Sequence, residues 1–307
     1  YQAASMTKLA TAQAASADIS LAGKHAVVVG GTSGIGHGIA LRLAQAGCSV
    51  TIVGRSAERG SKIVASLAKA EGAKHSFEPL DAFSLKACDA LAAKMSAKSL
   101  DLLVLTQGMA TIQKHTPVPE TGLDEKLSLH VYSRVALAKA LAPALEKASD
   151  PRVLSVLSAG IHGPFKAYKE SPELLKGYSV PKAADAGGFY TDIALESLAA
   201  AHPKVSFLHA APGFVNTNWG TEMPTVLRWL IRGLQPLGRS KEACGEFMFK
   251  GLVMPEFRGG EGGGGFHLLD QYGEPGPTTC AMHDVAKADV WAHLQAVLAK
   301  GGSVEGK

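Results

Sequence analysis

The sequence predicts an α/β fold in one domain, a doubly wound parallel sheet of about seven strands with helices on both faces. Three observations predict it. Short runs of β-branched and aliphatic residues alternate with longer stretches whose apolar positions recur at three and four. The short runs are continuously apolar, as strands buried on both faces require. Of the 307 residues, 46% are hydrophobic and 19% charged, which suffices for one large core.

In chain order, strands are expected at His25–Val29, Ser49–Val53, Ser76–Leu80, Leu100–Leu105, Arg152–Leu157, Lys204–Ala210 and Gly265–Leu269. Helices are expected from near Ile35, Ala57, Leu85, Gly122 and Ser179. Ligands of such sheets sit beyond the carboxyl ends of the strands, so the residues just after each strand carry the functional reading. Residues 1–20 read as an N-terminal extension, a tag or a disordered tail, with Met6 as a natural first residue. A presequence is the alternative, although the segment has no arginine and only Lys8 for positive charge. Residues 21–307 read as the catalytic domain, with 219–250 as a candidate substrate lid. That lid begins with the apolar stretch WGTEMPTVLRWLIRGLQPLG, which equally fits a surface helix packed on the core. Gly259–Gly265, GGEGGGG, reads as a flexible turn.

Several function classes are excluded. The net charge is +4 and the basic residues are dispersed, so nucleic acid is not an expected partner. No apolar run reaches the roughly 18 residues that span a bilayer, so stable membrane insertion is not expected. Cys48, Cys88, Cys244 and Cys280 are far apart, with neither a C-x-x-C pair nor a His/Cys cluster. No metal is expected, and a reducing, cytoplasmic location fits.

The first strand runs into Val29-Gly30-Gly31-Thr32-Ser33-Gly34-Ile35-Gly36. Glycines there let the backbone approach a pyrophosphate at a helix start, where free N–H groups favour negative charge. The second strand ends in Gly54-Arg55-Ser56. A site for an unphosphorylated dinucleotide places a carboxylate at this point, whereas arginine pairs with phosphate through several donors. NADP(H) is therefore expected over NAD(H). Asp81, just past the third strand, fits an adenine contact or a helix cap.

Tyr178-Ser179-Val180-Pro181-Lys182 places a phenol and an ammonium at i and i+4, about 6 Å apart on a shared helical face. The positive charge favours the phenolate, moving the phenol toward a pKa useful for acid/base work. An exposed aromatic beside a solvated lysine is the bland reading of these five residues. Ser158, at the end of the fifth strand, adds a hydroxyl able to bind a carbonyl oxygen that gains charge.

The G-x-x-x-G-x-G spacing of Gly30, Gly34 and Gly36, with Ser158, Tyr178 and Lys182 in order, resembles the short-chain dehydrogenase/reductase family in its classical branch. That resemblance implies a Rossmann-type domain and hydride transfer between a nicotinamide and a carbonyl or alcohol. It implies Gly30, Thr32, Ser33, Gly34, Ile35, Gly36, Arg55, Ser56, Asp81 and Gly108 as cofactor contacts. Pro212, Gly213, Val215 and Thr217 match the segment that walls the nicotinamide, with Val215 and Thr217 holding its carboxamide. Tyr178 becomes the acid/base and Lys182 a ribose ligand.

Three departures stand out. Val29 replaces a usual threonine, and Leu105-Thr106-Gln107-Gly108 replaces Asn-Asn-Ala-Gly, keeping only Gly108. His130 falls where an asparagine commonly supports a water in the proton relay, and either a relay or a satisfied buried histidine fits. The expected activity is NADPH-dependent reduction of a bulky apolar carbonyl. A catalytically silent NADP-binding sensor or scaffold, and a sugar-nucleotide epimerase or dehydratase, are the alternatives. A homo-oligomer is compatible, with Gly187-Gly188 permitting close packing between copies.

Overall fold

The computed structural model describes residues 2–216 and 238–301. Seven parallel strands form one sheet: β1 His25–Val29, β2 Ser49–Gly54, β3 Ser76–Pro79, β4 Leu102–Leu105, β5 Arg152–Val156, β6 Ser206–Ala210 and β7 Gly265–Leu269. Their order is β3-β2-β1-β4-β5-β6-β7, so the winding of successive strands changes sense between β1 and β4 while all strands stay parallel. Each expected strand is present, with ends shifted by at most two residues.

Alternate residues of each strand feed two separate cores. On one face Val27, Leu103, Val153 and Phe207 pack with α4 Leu85–Ser96, α6 Ser133–Leu145, α7 Val180–Ala201 and α9 His283–Ala299. On the other, Val28, Val104, Leu154 and Leu208 pack with α2 Gly34–Gln45, α3 Ala57–Ser66 and α8 Lys241–Val253. No helix among the described residues is long and apolar enough to cross a membrane.

The N-terminal extension is not a disordered tail in this structure. Gln2–Ser16 forms helix α1, which docks on α8 through Ala12 and Ser16. Ser16 Oγ donates to Glu246, and Arg42 joins them, donating from Nε to Glu246 Oε2 at 2.9 Å and from Nη2 to Ser16 O at 2.8 Å. The lid expectation divides. Its part from Lys241 lies in α8, where Cys244, Phe247, Met248 and Phe249 are core residues, while 219–237 lies outside the described residues. The ends of the glycine-rich stretch pack closely, a Cβ on Gly259 standing 2.3 Å from Pro151 O and one on Gly264 2.2 Å from Pro203 O, while Gly262 has open space around it. Gly187 and Gly188 face His130 and Leu157, and His162 and Ser158, so they permit close packing inside the subunit.

Candidate active site

The turn between β1 and α2 carries Gly30 and Gly34 at φ of 80° and 55°. A Cβ on Gly36 would stand 2.6 Å from Gly30 O and 2.3 Å from Thr106 Oγ1, so only glycine lets α2 begin against this turn. Ser33, the N-cap, makes no side-chain cap bond, which leaves the first N–H groups of α2 available to an anion. They face a cavity of about 590 Å³ at the carboxyl edge of the sheet. Gly30, Thr32, Ser33, Gly34, Ile35, Gly36, Arg55, Asp81 and Gly108 all line it, as expected of cofactor contacts.

Ser56 does not line the cavity; its hydroxyl caps α3, accepting from Arg59 N–H at 3.2 Å. Asp81 also serves its own turn, accepting from Phe83 N–H at 3.2 Å. A Cβ at Gly54 would stand 2.7 Å from Thr32 Cγ2 and Oγ1, so a carboxylate-bearing side chain does not fit there. Two exposed arginines, Arg55 and Arg59, line the cavity instead. Arg59 stands in the first turn of α3, and Arg55 just ahead of the cap of that helix.

The end of β4 is rebuilt with other groups. Thr106 Oγ1 donates to Val29 O at 2.8 Å, tying β4 to β1. Arg134, only 2% exposed, fills the role of a cross-brace that the sequence reading missed. Its Nη1 donates to Ser155 Oγ at 2.8 Å and Val156 O at 2.9 Å, its Nη2 to Gln107 O at 2.5 Å, and its Nε to Leu129 O at 3.3 Å. One guanidinium thus joins the carboxyl ends of β4 and β5, as the planar fork of arginine allows. Burial draws its pKa down to about 9.

His130 sits in a π-helical turn, Ser128–Tyr132, between α5 Glu125–Leu127 and α6. Its Nε2 accepts from Met109 N–H at 3.1 Å, so the ring proton lies on Nδ1. Burial, then the charges of Arg134 and Lys126, push its pKa down to about 3. The ring is therefore neutral at neutral pH. What His130 does in this structure is hold the loop after β4 to the helix.

Ser158 follows β5, and its Oγ is buried with no hydrogen-bond partner among the described residues. Tyr178 OH is likewise buried and unpartnered. The shared helical face expected for Tyr178 and Lys182 is not formed. Ser179 caps α7, accepting from Lys182 N–H at 3.3 Å, with Pro181 in the first turn, so Tyr178 stands ahead of the helix. Lys182 Nζ donates to Gly177 O at 2.9 Å. Burial and the charge of Asp124 push the Tyr178 phenol up to about 12, against the depression expected from the ammonium. The Tyr178 ring packs edge-on to His115 at 5.7 Å, with the buried Lys126 ammonium 5.9 Å from its centroid.

After β6, Val215 is buried and pairs with Arg239 in a short bridge, while a Cβ on Gly213 would meet Gln271 Oε1 at 2.2 Å. Pro212 is half-buried, and Thr217 lies outside the described residues.

The short chain dehydrogenase model matches residues 24–225. The chain belongs to the short-chain dehydrogenase family. An oxidoreductase of Emericella nidulans is 28% identical to it over 95% of this chain and 98% of its own length. A polyprenol dehydrogenase of Mus musculus is 28% identical over 92% of this chain and 87% of its own. Among solved structures, an alcohol dehydrogenase from Thermococcus sibiricus complexed with 5-hydroxy-NADP gives a TM-score of 0.59 at 19% identity, over 82% of this chain and 99% of that one. That likeness is one of fold. As a member of this family the chain is an oxidoreductase, with the cofactor end of its site well formed and the catalytic end carrying this chain's own departures.

Proposed function

We propose that this short-chain dehydrogenase is an NADP(H)-dependent reductase of a bulky apolar ketone or aldehyde. The observation that carries the reading is the pair of buried, unpartnered hydroxyls, Ser158 Oγ and Tyr178 OH. Leaving a buried hydroxyl without a partner costs about 1–3 kcal/mol, and a substrate oxygen accepting from both relieves that cost.

When bound, the reduced nicotinamide supplies a hydride. Ser158 orients the carbonyl by donating to its oxygen. Tyr178, protonated at neutral pH as phenols are, gives the oxygen its proton as charge develops there. Arg55 and Arg59 hold the ribose phosphate through paired donors. By the family pattern Lys182 binds the nicotinamide ribose, and Pro212, Gly213, Val215 and Thr217 wall the carboxamide. His130, neutral, offers its Nδ1–H to a water on the path of proton resupply. Four exposed apolar side chains, Ile112, Ile161, Leu175 and Phe214, stand on the loops after β4, β5 and β6 and support an apolar substrate.

Tyr178→Phe is expected to lower turnover on the order of 10²–10⁴-fold while leaving NADPH affinity within about threefold. Normal turnover in that variant overturns the assignment. The raised phenol pKa and the Lys182 bond to Gly177 O also favour a second reading, a cofactor-binding protein without turnover. NADPH oxidation by the wild type against a panel of apolar ketones separates the two: binding without oxidation supports the second.

A further inference from the structure

Behind Ser158 lies a closed group of three ionisable side chains that the proposed chemistry does not use. Asp192, on α7, is fully buried, and so is His209 on β6. His209 Nδ1 donates to Asp192 Oδ1 at 2.5 Å, and His162 Nε2 donates to Asp192 Oδ2 at 2.8 Å. Gly160 N–H points at the same Oδ2 from 3.4 Å. Among the described residues no group of three or more His, Cys, Asp or Glu is placed to hold a metal ion, so the cluster is not a metal site.

The protonation states follow from the partners. His209 Nε2 accepts from Ser158 N–H at 3.2 Å, so this ring carries its one proton on Nδ1 and is neutral. His162 faces an acceptor at each nitrogen, Gly163 O at 2.9 Å from Nδ1 and the carboxylate at Nε2, so it holds two protons. Burial opposes that charge, but the hydrogen bonds to Asp192 and Gly163, with the charges of Asp192 and Asp185, outweigh it and raise the His162 pKa. Burial also opposes the Asp192 charge, and the hydrogen bonds from both imidazoles, with the His162 charge, override it and hold the carboxyl below the usual carboxylate range. The cluster is an ion pair with a neutral imidazole attached.

That imidazole meets Ser158 where the sheet stops helping it. Leu157 N–H makes the last inter-strand bond of this edge, to Ala210 O at 2.8 Å. The next N–H, that of Ser158, is bound by His209. The other side of Ser158 is fixed by packing: a Cβ on Gly188 would stand 2.5 Å from Ser158 Oγ and 2.4 Å from His162 Cδ2. Serine and imidazole therefore share the space that the missing side chain leaves.

We propose that Asp192 and His209 are positioning residues that lock the backbone of Ser158 and so aim its hydroxyl at the substrate oxygen. Asp192 fixes the tautomer and orientation of His209, His209 fixes the Ser158 N–H, and His162 neutralises the carboxylate while bracing the hydroxyl side. The inference rests on the carbonyl-binding role of Ser158 in the proposed function.

A double-mutant cycle tests it. His209→Asn keeps a donor toward Asp192 and removes the acceptor for Ser158 N–H, whereas His209→Gln keeps an acceptor near the Nε2 position. Ser158→Ala alone is expected to lower kcat on the order of 10²–10³-fold. His209→Asn is expected to lower kcat about tenfold in the wild type, with NADPH affinity within about twofold, yet change it less than about twofold in the Ser158→Ala background. His209→Gln recovers most of the lost turnover. Wild-type turnover in Ser158→Ala sinks the proposed function itself. An equal loss from His209→Asn in both backgrounds, or a His209→Gln variant as impaired as the Asn variant, overturns the positioning role and leaves Ser158 standing. Should His209→Asn fail to fold, Asp192→Asn with and without Ser158→Ala runs the same cycle, and additivity there refutes the inference.

Discussion

Replacing Arg134 with methionine measures how much of this fold hangs on one guanidinium. Methionine keeps an unbranched apolar stem of similar reach and removes every donor. Gln107 O, Ser155 Oγ and Val156 O then lose partners at 2.5, 2.8 and 2.9 Å. Three buried groups at about 1–3 kcal/mol each come to about 3–9 kcal/mol. Against this, the variant no longer holds a cation out of water, which returns several kcal/mol. A net loss of about 2–4 kcal/mol follows, or a fall in Tm of about 3–6 °C for a chain of this size. Urea denaturation followed by circular dichroism, with the slope checked for constancy, gives the free energy directly. Arg134→Lys keeps the charge without the fork that reaches two strands at once, so it recovers less than half of the loss. NADPH affinity is also expected to fall, because Arg134 Nη2 lies 3.8 Å from where a Gly108 Cβ would stand and Gly108 lines the cofactor cavity. A methionine variant within about 1 kcal/mol of the wild type refutes the cross-brace.

Three further outcomes are expected. Gly36→Ala puts a methyl 2.6 Å from a backbone oxygen that cannot swing aside, so NADPH affinity falls at least about tenfold in a fluorescence titration, and affinity within twofold of wild type contradicts the cradle. Arg55→Ala and Arg59→Ala each remove a charged donor set worth about 1.5–3 kcal/mol, which weakens NADPH roughly 10- to 100-fold and leaves NADH nearly unchanged; equal losses on both cofactors count against the phosphate role. The stability of the wild type has two titrating limbs. His162 has a raised pKa, so its contribution is complete below 6.5 and is lost as pH rises through the raised value. Asp192 is held at about 2, so its contribution is complete above 3.8 and is lost as pH falls toward 2. Denaturation midpoints measured across pH should show His162→Gln flattening the upper limb, and an upper limb that survives in this variant assigns it elsewhere.

The strands were legible because sheet burial writes itself into consecutive residues. Val27 and Val28 face different cores, yet both are fully buried, so a parallel strand reads as an unbroken apolar run. Helix α1 was not legible for the opposite reason. Its Ala, Ser and Thr content gives no strong apolar stripe, and what holds it is Ser16 meeting Glu246 and Arg42, a contact between distant parts of the chain. The same holds for the ends of Gly259–Gly265, where low complexity suggested looseness and close backbone packing on Pro151 and Pro203 was the cause.

The strand-turn-helix that lines the cavity was readable since it depends on local rules: a turn that needs glycine and a helix start with free N–H groups. The catalytic end depends on what replaces a missing group, and replacement crosses the chain. Where the family pattern has asparagines after β4, this chain uses Thr106 against Val29 and Arg134 against Gln107, Ser155 and Val156, four residues past His130 and invisible from the motif itself. The Tyr178–Lys182 pair fails as a helical pair for a reason written inside it, because Ser179 and Pro181 begin α7 after the tyrosine. Burial and the charge of Asp124 raise the phenol in this arrangement. On the proposed reading Ser158 carries more of the burden of orienting the substrate, and the residues proposed to hold it, Asp192 and His209, are ones that no spacing rule connects to the motif.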